Sequence, residues 1–328
     1  MTGLQSSPRV VWSMDFELRW GLHDRLGMDL DAYRANLEGA RQAVPELLGL
    51  FVQRGVRATW ATVGALACRD WDEYWRRAPQ PPRYADARLA VSRRYADLDP
   101  EGILHFAPDL VGLIARTQGQ DLGTHTFSHI FLGEPGVTTE DAEADHAVVV
   151  AKFRDAFAVA PTSLVFPRNQ VAFLDFYRAS GISAWRDNEA SWYYRRTELA
   201  DNPFVRARRL ADALTPWHTR AGLFADGRTP STLFVRLNLP EMAWKAHIAK
   251  IATEARRARS GDVLHFWLHP HNVGGNVRLG IARLAHVLDT LDRCAPKGTA
   301  YASMHDLATT AAANESAAQP PAGRRFGT

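Results

Sequence analysis

Short apolar runs alternate with longer amphipathic stretches along most of the chain, the pattern of repeated β-α units around a parallel sheet. The runs predict strands at Val10 to Phe16, Arg57 to Val63, Asp121 to Thr124, Ser163 to Phe166, Ile182 to Trp185, Leu233 to Leu237, Val263 to Leu268 and Ala300 to Ser303. Helices fill most of the gaps. Leu30 to Arg54 has apolar residues at helical spacing and is followed by Gly55, a residue suited to the left-handed position past a helix end. Thr138 to Phe157 opens with Thr138 and has Asp141 three places on, as a capping box does. Glu241 to Ser260 and Val277 to Arg293 are similarly amphipathic.

Two segments break the alternation: Arg69 to Leu104, rich in Trp, Tyr, Arg and Pro, and Arg186 to Ser231, also aromatic and basic. Each follows a predicted strand. In β/α barrels the loops after the strands form the active-site face, so these inserts either cover a pocket there or are surface elaborations with small cores of their own. Trp71, Trp75, Trp192, Tyr193 and Tyr194 are sugar-stacking candidates on the first view and packing residues on the second. The pattern predicts one α/β domain over residues 1–311, with inserts at about 69–104 and 186–231, and a disordered tail over 312–328 rich in Ala, Pro, Gly and Ser.

Composition narrows the function. The chain has 328 residues, 46% hydrophobic and 23% charged, as an ordinary globular protein does. A formal net charge of +3 and the lack of any dense Lys/Arg block argue against a nucleic-acid partner. Only four of the 39 basic residues are Lys, a bias towards Arg that coding preference explains as well as phosphate binding. Cys68 and Cys294 are far apart and have no CxxC partner, so neither a disulfide framework nor a cysteine metal site is indicated, which fits a reducing compartment. The polar start, Met1 to Arg9, lacks the parts of a secretory signal, and no apolar run approaches the ~18 residues of a membrane span. The expected location is therefore the cytoplasm, which favours sugar nucleotides or lipid-linked sugars over finished polymer.

Four polar clusters fall at the C-terminal ends of predicted strands. Asp15 and Glu17 have the same parity in an extended strand, which sets them about 6.5–7 Å apart on one side. Two such carboxylates are costly to desolvate without a positive charge beside them, and a metal ion would supply it. His125 and His129 are four residues apart; if that run is helical, both rings share a face and can hold one divalent cation, with a carboxylate from elsewhere as third ligand. Arg168, with Asn169 and Gln170, follows the strand ending at Phe166 and has the fork geometry to hold a carboxylate. His265, His269 and His271 share a parity in and just past another apolar strand, and His265 reads as a hydrogen-bonded core residue.

Taken in order, these clusters resemble the motifs of the polysaccharide deacetylases of carbohydrate esterase family four, the NodB-homology family. Met14-Asp15-Phe16-Glu17 corresponds to the motif with a catalytic Asp and a metal-binding carboxylate, in its Asp-x-Glu form. His125-Thr126-Phe127-Ser128-His129 corresponds to His-Ser/Thr-x-x-His, Phe166-Pro167-Arg168 to the Arg/Pro motif with its order reversed, and Leu268-His269-Pro270 to Leu-His-Pro. The usual Asp-Trp motif is replaced by Trp185-Arg186-Asp187-Asn188-Glu189, where Asp187 or Glu189 would have to take its role. The resemblance, over roughly residues 9–307, implies a distorted (β/α) barrel of the deacetylase type and a metal-dependent carbohydrate N-deacetylase. Glu17, His125 and His129 would be the metal ligands, Asp15 the general base, His269 the general acid, and Arg168 the residue that orients Asp15. It implies one divalent ion, zinc before cobalt, manganese or nickel, and an N-acetylated sugar, sugar nucleotide or lipid-linked saccharide as substrate. Two alternatives remain: a related hydrolase of another linear or cyclic amide, and a sugar-binding pseudoenzyme without turnover.

Overall fold

A computed structural model describes residues 7–23, 30–189, 191–195, 202–215 and 221–318. Its centre is a sheet of parallel strands rolled towards a barrel. The strands are β1 (Arg9–Phe16), β2 (Ala58–Thr62), β3 (Gln120–Thr124), β4 (Ser163–Leu164), β5 (Ala184–Asp187), β6 (Gly222–Leu223), β7 (Arg228–Pro230), β8 (Leu233–Phe234), β9 (Asp262–Leu268) and β10 (Ala300–Ala302). Neighbours run β6-β9-β1-β2-β3-β4-β5-β7, all parallel except β6 against β9. The two ends meet through one continuous stretch: β7 pairs with β5, Ser231 N–H donates to Asp187 O, Thr232 N–H donates to His265 O, and β8 pairs with β9. β10 joins the lower half of β1, from Arg9↔Ala300 to Val11↔Ala302, while β2 joins its upper half.

Both faces of β1 are covered, so it is buried from Val10 to Phe16 and reads as a continuous apolar run interrupted by Ser13 and Asp15. Trp12, Met14 and Phe16 pack outward under the helices. Val11 belongs to a smaller interior cluster with Ala61, Val165 and Ala184, and Met304, Leu307 and Ala308 of the helix Met304–Ala318 close it from one end. That helix continues past Ala311 into the expected tail; residues 319–328 lie outside the described residues. The opposite end, where the strands finish, is the mouth.

The predicted helix Leu30–Arg54 is present, and the capping box at Thr138 is formed in full, with Thr138 and Asp141 exchanging side-chain and backbone bonds. The strand predicted over Ser163 to Phe166 is shortened to two residues, and that over Ile182 to Trp185 is displaced to Ala184–Asp187. The segment 186–231 departs furthest from expectation. It begins inside β5 and ends just past β7, so it contains part of the barrel wall as well as an insertion. Strands of two to four residues carry too few positions for a period to show.

One close contact positions the loop after β9. Gly39 of the first helix lies against the backbone of Gly274, and a Cβ on either residue would run into the other's backbone. Asn36 Nδ2 donates to His271 O at 3.2 Å across the same contact. The segment His269–Gly274 is thereby held at the mouth beside the end of β1.

Candidate active site

The register of the central strands brings the polar clusters together. Ser13 pairs with Trp267 and Met14 with Leu268, so one step further Asp15 stands level with His269. Across the other edge Asp15 pairs with Ala61 of β2 and Thr62 with Thr124 of β3, and His125 N–H donates to Thr62 O at 2.9 Å. Asp15, Glu17, His125, His129 and Arg186 are all buried, whereas the His269 side chain keeps 21% of its exposure.

The histidine pair does not lie on a helix. Residues 125–130 form an irregular loop in which Thr126 (φ 64°) and His129 (φ 56°) adopt left-handed backbone. The loop is held from beneath: Asp145 accepts from Phe127 N–H at 2.6 Å, from Ser128 N–H at 3.0 Å and from the Ser128 hydroxyl at 2.6 Å. Thr126 Oγ1 accepts from Ile130 N–H at 3.1 Å, and Gly64 N–H donates to Thr126 O at 2.8 Å. Two consecutive reversals of the backbone, rather than helical spacing, turn both imidazoles to one point, with ring centroids 5.0 Å apart.

At that point sits Glu17. Its Oε2 lies 3.3 Å from His125 Nε2 and 3.2 Å from His129 Nε2, and its Oε1 lies 3.4 Å from His269 Nε2. Gly21 makes room for it, since a methyl group there would occupy the space of the Glu17 carboxylate. His125 Nδ1 is 2.7 Å from Val165 O, a backbone carbonyl that can only accept. The proton therefore belongs on Nδ1, and the Nε2 lone pair faces Glu17, the orientation that second-sphere carbonyls impose on metal-binding histidines. The donor atoms of Glu17, His125 and His129 lie within 4.8 Å of one another, so the residues fit a divalent ion. Burial pushes the Glu17 carboxyl's pKa up, but the charge of His269 and, when their Nε2 atoms carry protons, the hydrogen bonds of His125 and His129 overcome this and hold it well below its ordinary value of 4.5.

Asp15, two residues away, has a different partner. Arg186 donates from Nη1 to Oδ1 and from Nη2 to Oδ2, both at 2.7 Å, a bidentate fork. Burial raises the Asp15 pKa, and the charge and hydrogen bonds of Arg186 more than offset it, leaving the carboxyl below its ordinary value of 3.8. Arg186 is fixed in turn: Nη1 donates to Ser13 Oγ at 3.0 Å, Nη2 to Asn169 Oδ1 at 2.9 Å, and its guanidinium carbon lies 4.1 Å over the Trp267 ring. Ser13 Oγ is 2.8 Å from Nε2 of His265, a fully buried imidazole whose pKa burial pushes down to about 3. That neutral ring accepts from Ser13, the core role expected for His265. His269 Nε2 lies 3.8 Å from Asp15 Oδ2, and its ring stacks on His271 at 4.8 Å.

The arginine expected to orient Asp15 is the wrong one. Arg168 donates to Glu134 Oε1 at 3.0 Å and lies 4.4 Å over the Phe131 ring. Arg168 (φ 53°) and Asn169 (φ 54°) are both left-handed, which turns Arg168 towards Glu134 and presents the Asn169 amide to Arg186. The replaced motif after Trp185 thus supplies the guanidinium. Asp187 accepts from Asn188 N–H at 2.8 Å and pairs with Arg228 at 3.4 Å, while Glu189 is buried. The available signal was an Arg directly after an apolar strand, a signal Arg168 and Arg186 share.

The architecture is shared with a solved structure. A Mycobacterium smegmatis protein described as a polysaccharide deacetylase superposes with a TM-score of 0.52 at 17% identity, over 99% of this chain and 96% of that one. The Xyl-CE4 domain of a multidomain xylanase from the hindgut metagenome of Trinervitermes trinervoides gives 0.46 at 8% identity, over 97% and 95%. A Streptococcus mutans CE4 esterase gives 0.42 at 15% identity, over 92% and 87%. No protein-family model and no curated protein matches the chain. The fold expected from the order of the motifs, the distorted β/α barrel of the polysaccharide deacetylases, is the fold this chain has. No described helix is long and apolar enough to cross a membrane.

Proposed function

We propose that the protein is a metal-dependent deacetylase that hydrolyses the N-acetyl group of a sugar or sugar-containing glycan precursor in the cytoplasm. One observation carries the reading. Two carboxylates from the same strand end have divided partners: Glu17 faces a cage of imidazoles, and Asp15 is held ionised by Arg186. A metal site alone has no use for the second carboxylate; a hydrolase needs it as a base.

Glu17, His125 and His129 would hold the ion, with zinc the best match to one carboxylate and two imidazoles. When bound, it supplies Lewis acidity for the amide carbonyl and lowers the pKa of water. Asp15 takes the proton of the attacking water, and Arg186 keeps it charged and aimed. His269, the most exposed of these imidazoles, is the acid that gives a proton to the departing amine, which leaves poorly as an anion. Asp15 near the end of β1 and His269 just past the end of β9 stand side by side, so the base and the acid flank one reacting centre.

The test is a calorimetric zinc titration of chelator-stripped protein, followed by acetate release from N-acetyl sugars and sugar nucleotides. About one equivalent should bind, His125→Ala should lose both binding and turnover, and Asp15→Asn should keep binding while turnover falls ~100- to 10,000-fold. Retention of near-full activity by Asp15→Asn would remove it as the base. Zinc binding with turnover only on other amides would point to a related hydrolase, and zinc binding without any turnover to a sugar-binding pseudoenzyme.

A further inference from the structure

We propose that an arginine-lined cleft beside the barrel mouth binds the phosphate of a substrate whose acetylated sugar is carried on a phosphate or diphosphate ester. This rests on the deacetylase reading and names the substrate class for it. The cleft encloses about 350 Å³ and is lined, among the described residues, by Arg206, Ala207, Arg209, Leu210 and Arg236. Arg206 and Arg209 lie three residues apart in the helix Pro203–Leu214, so both reach one wall. Arg236 comes from the other side, two residues past Phe234 at the end of β8.

That position ties the cleft to the site. Phe234 pairs with Trp267 and Val235 N–H donates to Trp267 O, so Arg236 stands at the height of His269 on the neighbouring strand. The Arg236 guanidinium carbon is 5.3 Å from the Phe234 ring centre, and Phe234 meets the His269 ring edge-on at 5.7 Å. The cleft is therefore one aromatic ring away from the proposed acid. In a 2-acetamido sugar joined to phosphate through its anomeric carbon, the amide and the phosphate ester are on adjacent carbons. A sugar with its amide at His269 would carry its phosphate towards Arg236.

The cleft is built for an anion. Arg236 Nε is buried and has no hydrogen-bond partner, an arrangement that costs free energy until an acceptor arrives. Arg209 Nε donates to Tyr193 O at 2.7 Å, which sets the plane of its guanidinium. Burial and the like charge of Arg209 disfavour the charged form of Arg236, and Glu189 opposes them, yet a guanidinium keeps its proton. Arg206, Arg209 and Arg236 bring three guanidinium groups to one space, which suits the oxygens of a phosphate or diphosphate ester.

Inorganic pyrophosphate, titrated calorimetrically into the chelator-stripped protein, tests the cleft without metal or turnover. Binding should weaken about 10-fold or more in Arg236→Ala and in Arg206→Ala, the latter at an exposed position that the fold does not need, and should be unchanged in His125→Ala. No binding, or binding insensitive to both arginines, would overturn the proposal. Uridine diphosphate and a prenyl diphosphate separate the two carriers: tighter binding of the first assigns a nucleotide-linked substrate, and of the second a lipid-linked one. Failure of the deacetylase reading would appear separately, as loss of zinc binding or of acetate release with pyrophosphate binding intact.

Discussion

In residues 69–104 the aromatic side chains turn inward, whereas in residues 186–231 a segment of similar composition builds the mouth. Trp71 is buried against Trp20, Tyr74 and Phe106, and its Nε1 donates to Asp99 O at 2.7 Å. Glu73 is buried on Lys152 at 2.6 Å and bonded by Arg69 and Arg77. Asp99 lies 2.6 Å from His105 Nδ1, and the cavity between this segment and His129 holds about 40 Å³, too little for a sugar. The second segment opens with Arg186 on Asp15, leaves Trp192 and Phe204 exposed, lines the arginine cleft and returns through β7 to complete the barrel. Aromatic and basic composition therefore does not tell a packing segment from a functional one. The difference lies in whether the arginines find carboxylates of their own segment and its neighbours or reach the end of β1.

The largest effect should come from the second segment. Arg186→Ala leaves Asp15 buried without its partner, costing about 3–5 kcal/mol of stability, and frees the base to move, lowering kcat about 100-fold. Arg168→Ala should change kcat little and stability by about 1 kcal/mol, because its pair with Glu134 is half-exposed. Urea melts and acetate release on both variants would erase the comparison if the two behaved alike. In the first segment, Trp71→Ala should cost about 3–5 kcal/mol while the folded fraction keeps its kcat and zinc affinity. A selective loss of kcat would make that segment part of the site.

A smaller, pH-dependent effect separates the segments further. Burial raises the Glu73 pKa, but hydrogen bonds from Lys152 and Arg69 lower it to about 2, from an ordinary 4.5. A carboxyl whose pKa is depressed on folding stabilises fully above its unfolded value, and that stabilisation fades as the pH falls towards the folded value. The stability gap between the wild type and Glu73→Gln should thus be constant above about pH 5 and shrink between about 4.5 and 2. Urea melts at several pH values read it directly, and a gap that stayed constant down to pH 3 would show that the Glu73–Lys152 pair contributes no depressed titration.

Much of this was legible along the chain. The strands β1, β2, β3 and β9 show as apolar runs long enough to count, and the Thr138–Asp141 box marks its helix start. Asp15, Glu17, His125, His129 and His269 stood out because polar groups at apolar strand ends are costly unless they serve one another. β6 and β7 were hidden and β5 was displaced, all three being short and set among loop residues, whereas β8 begins where the run Leu233 to Leu237 does. Arg186 was hidden for the same reason, since its strand was expected to end at Trp185 and runs on to Asp187.

The sequence by itself determined which strands alternate with helices, which of them end in chemistry, and that the ends face one way, because parallel β-α units leave their C-terminal strand ends on one side. Only the tertiary structure decided how those ends are wired. Left-handed backbone at Thr126, His129, Arg168 and Asn169 aims the side chains, and such torsions leave no periodic trace in a sequence. The choice between two arginines, each near the end of an apolar run, was made by the closure of the barrel, which set Arg186 beside Asp15 and left Arg168 to Glu134.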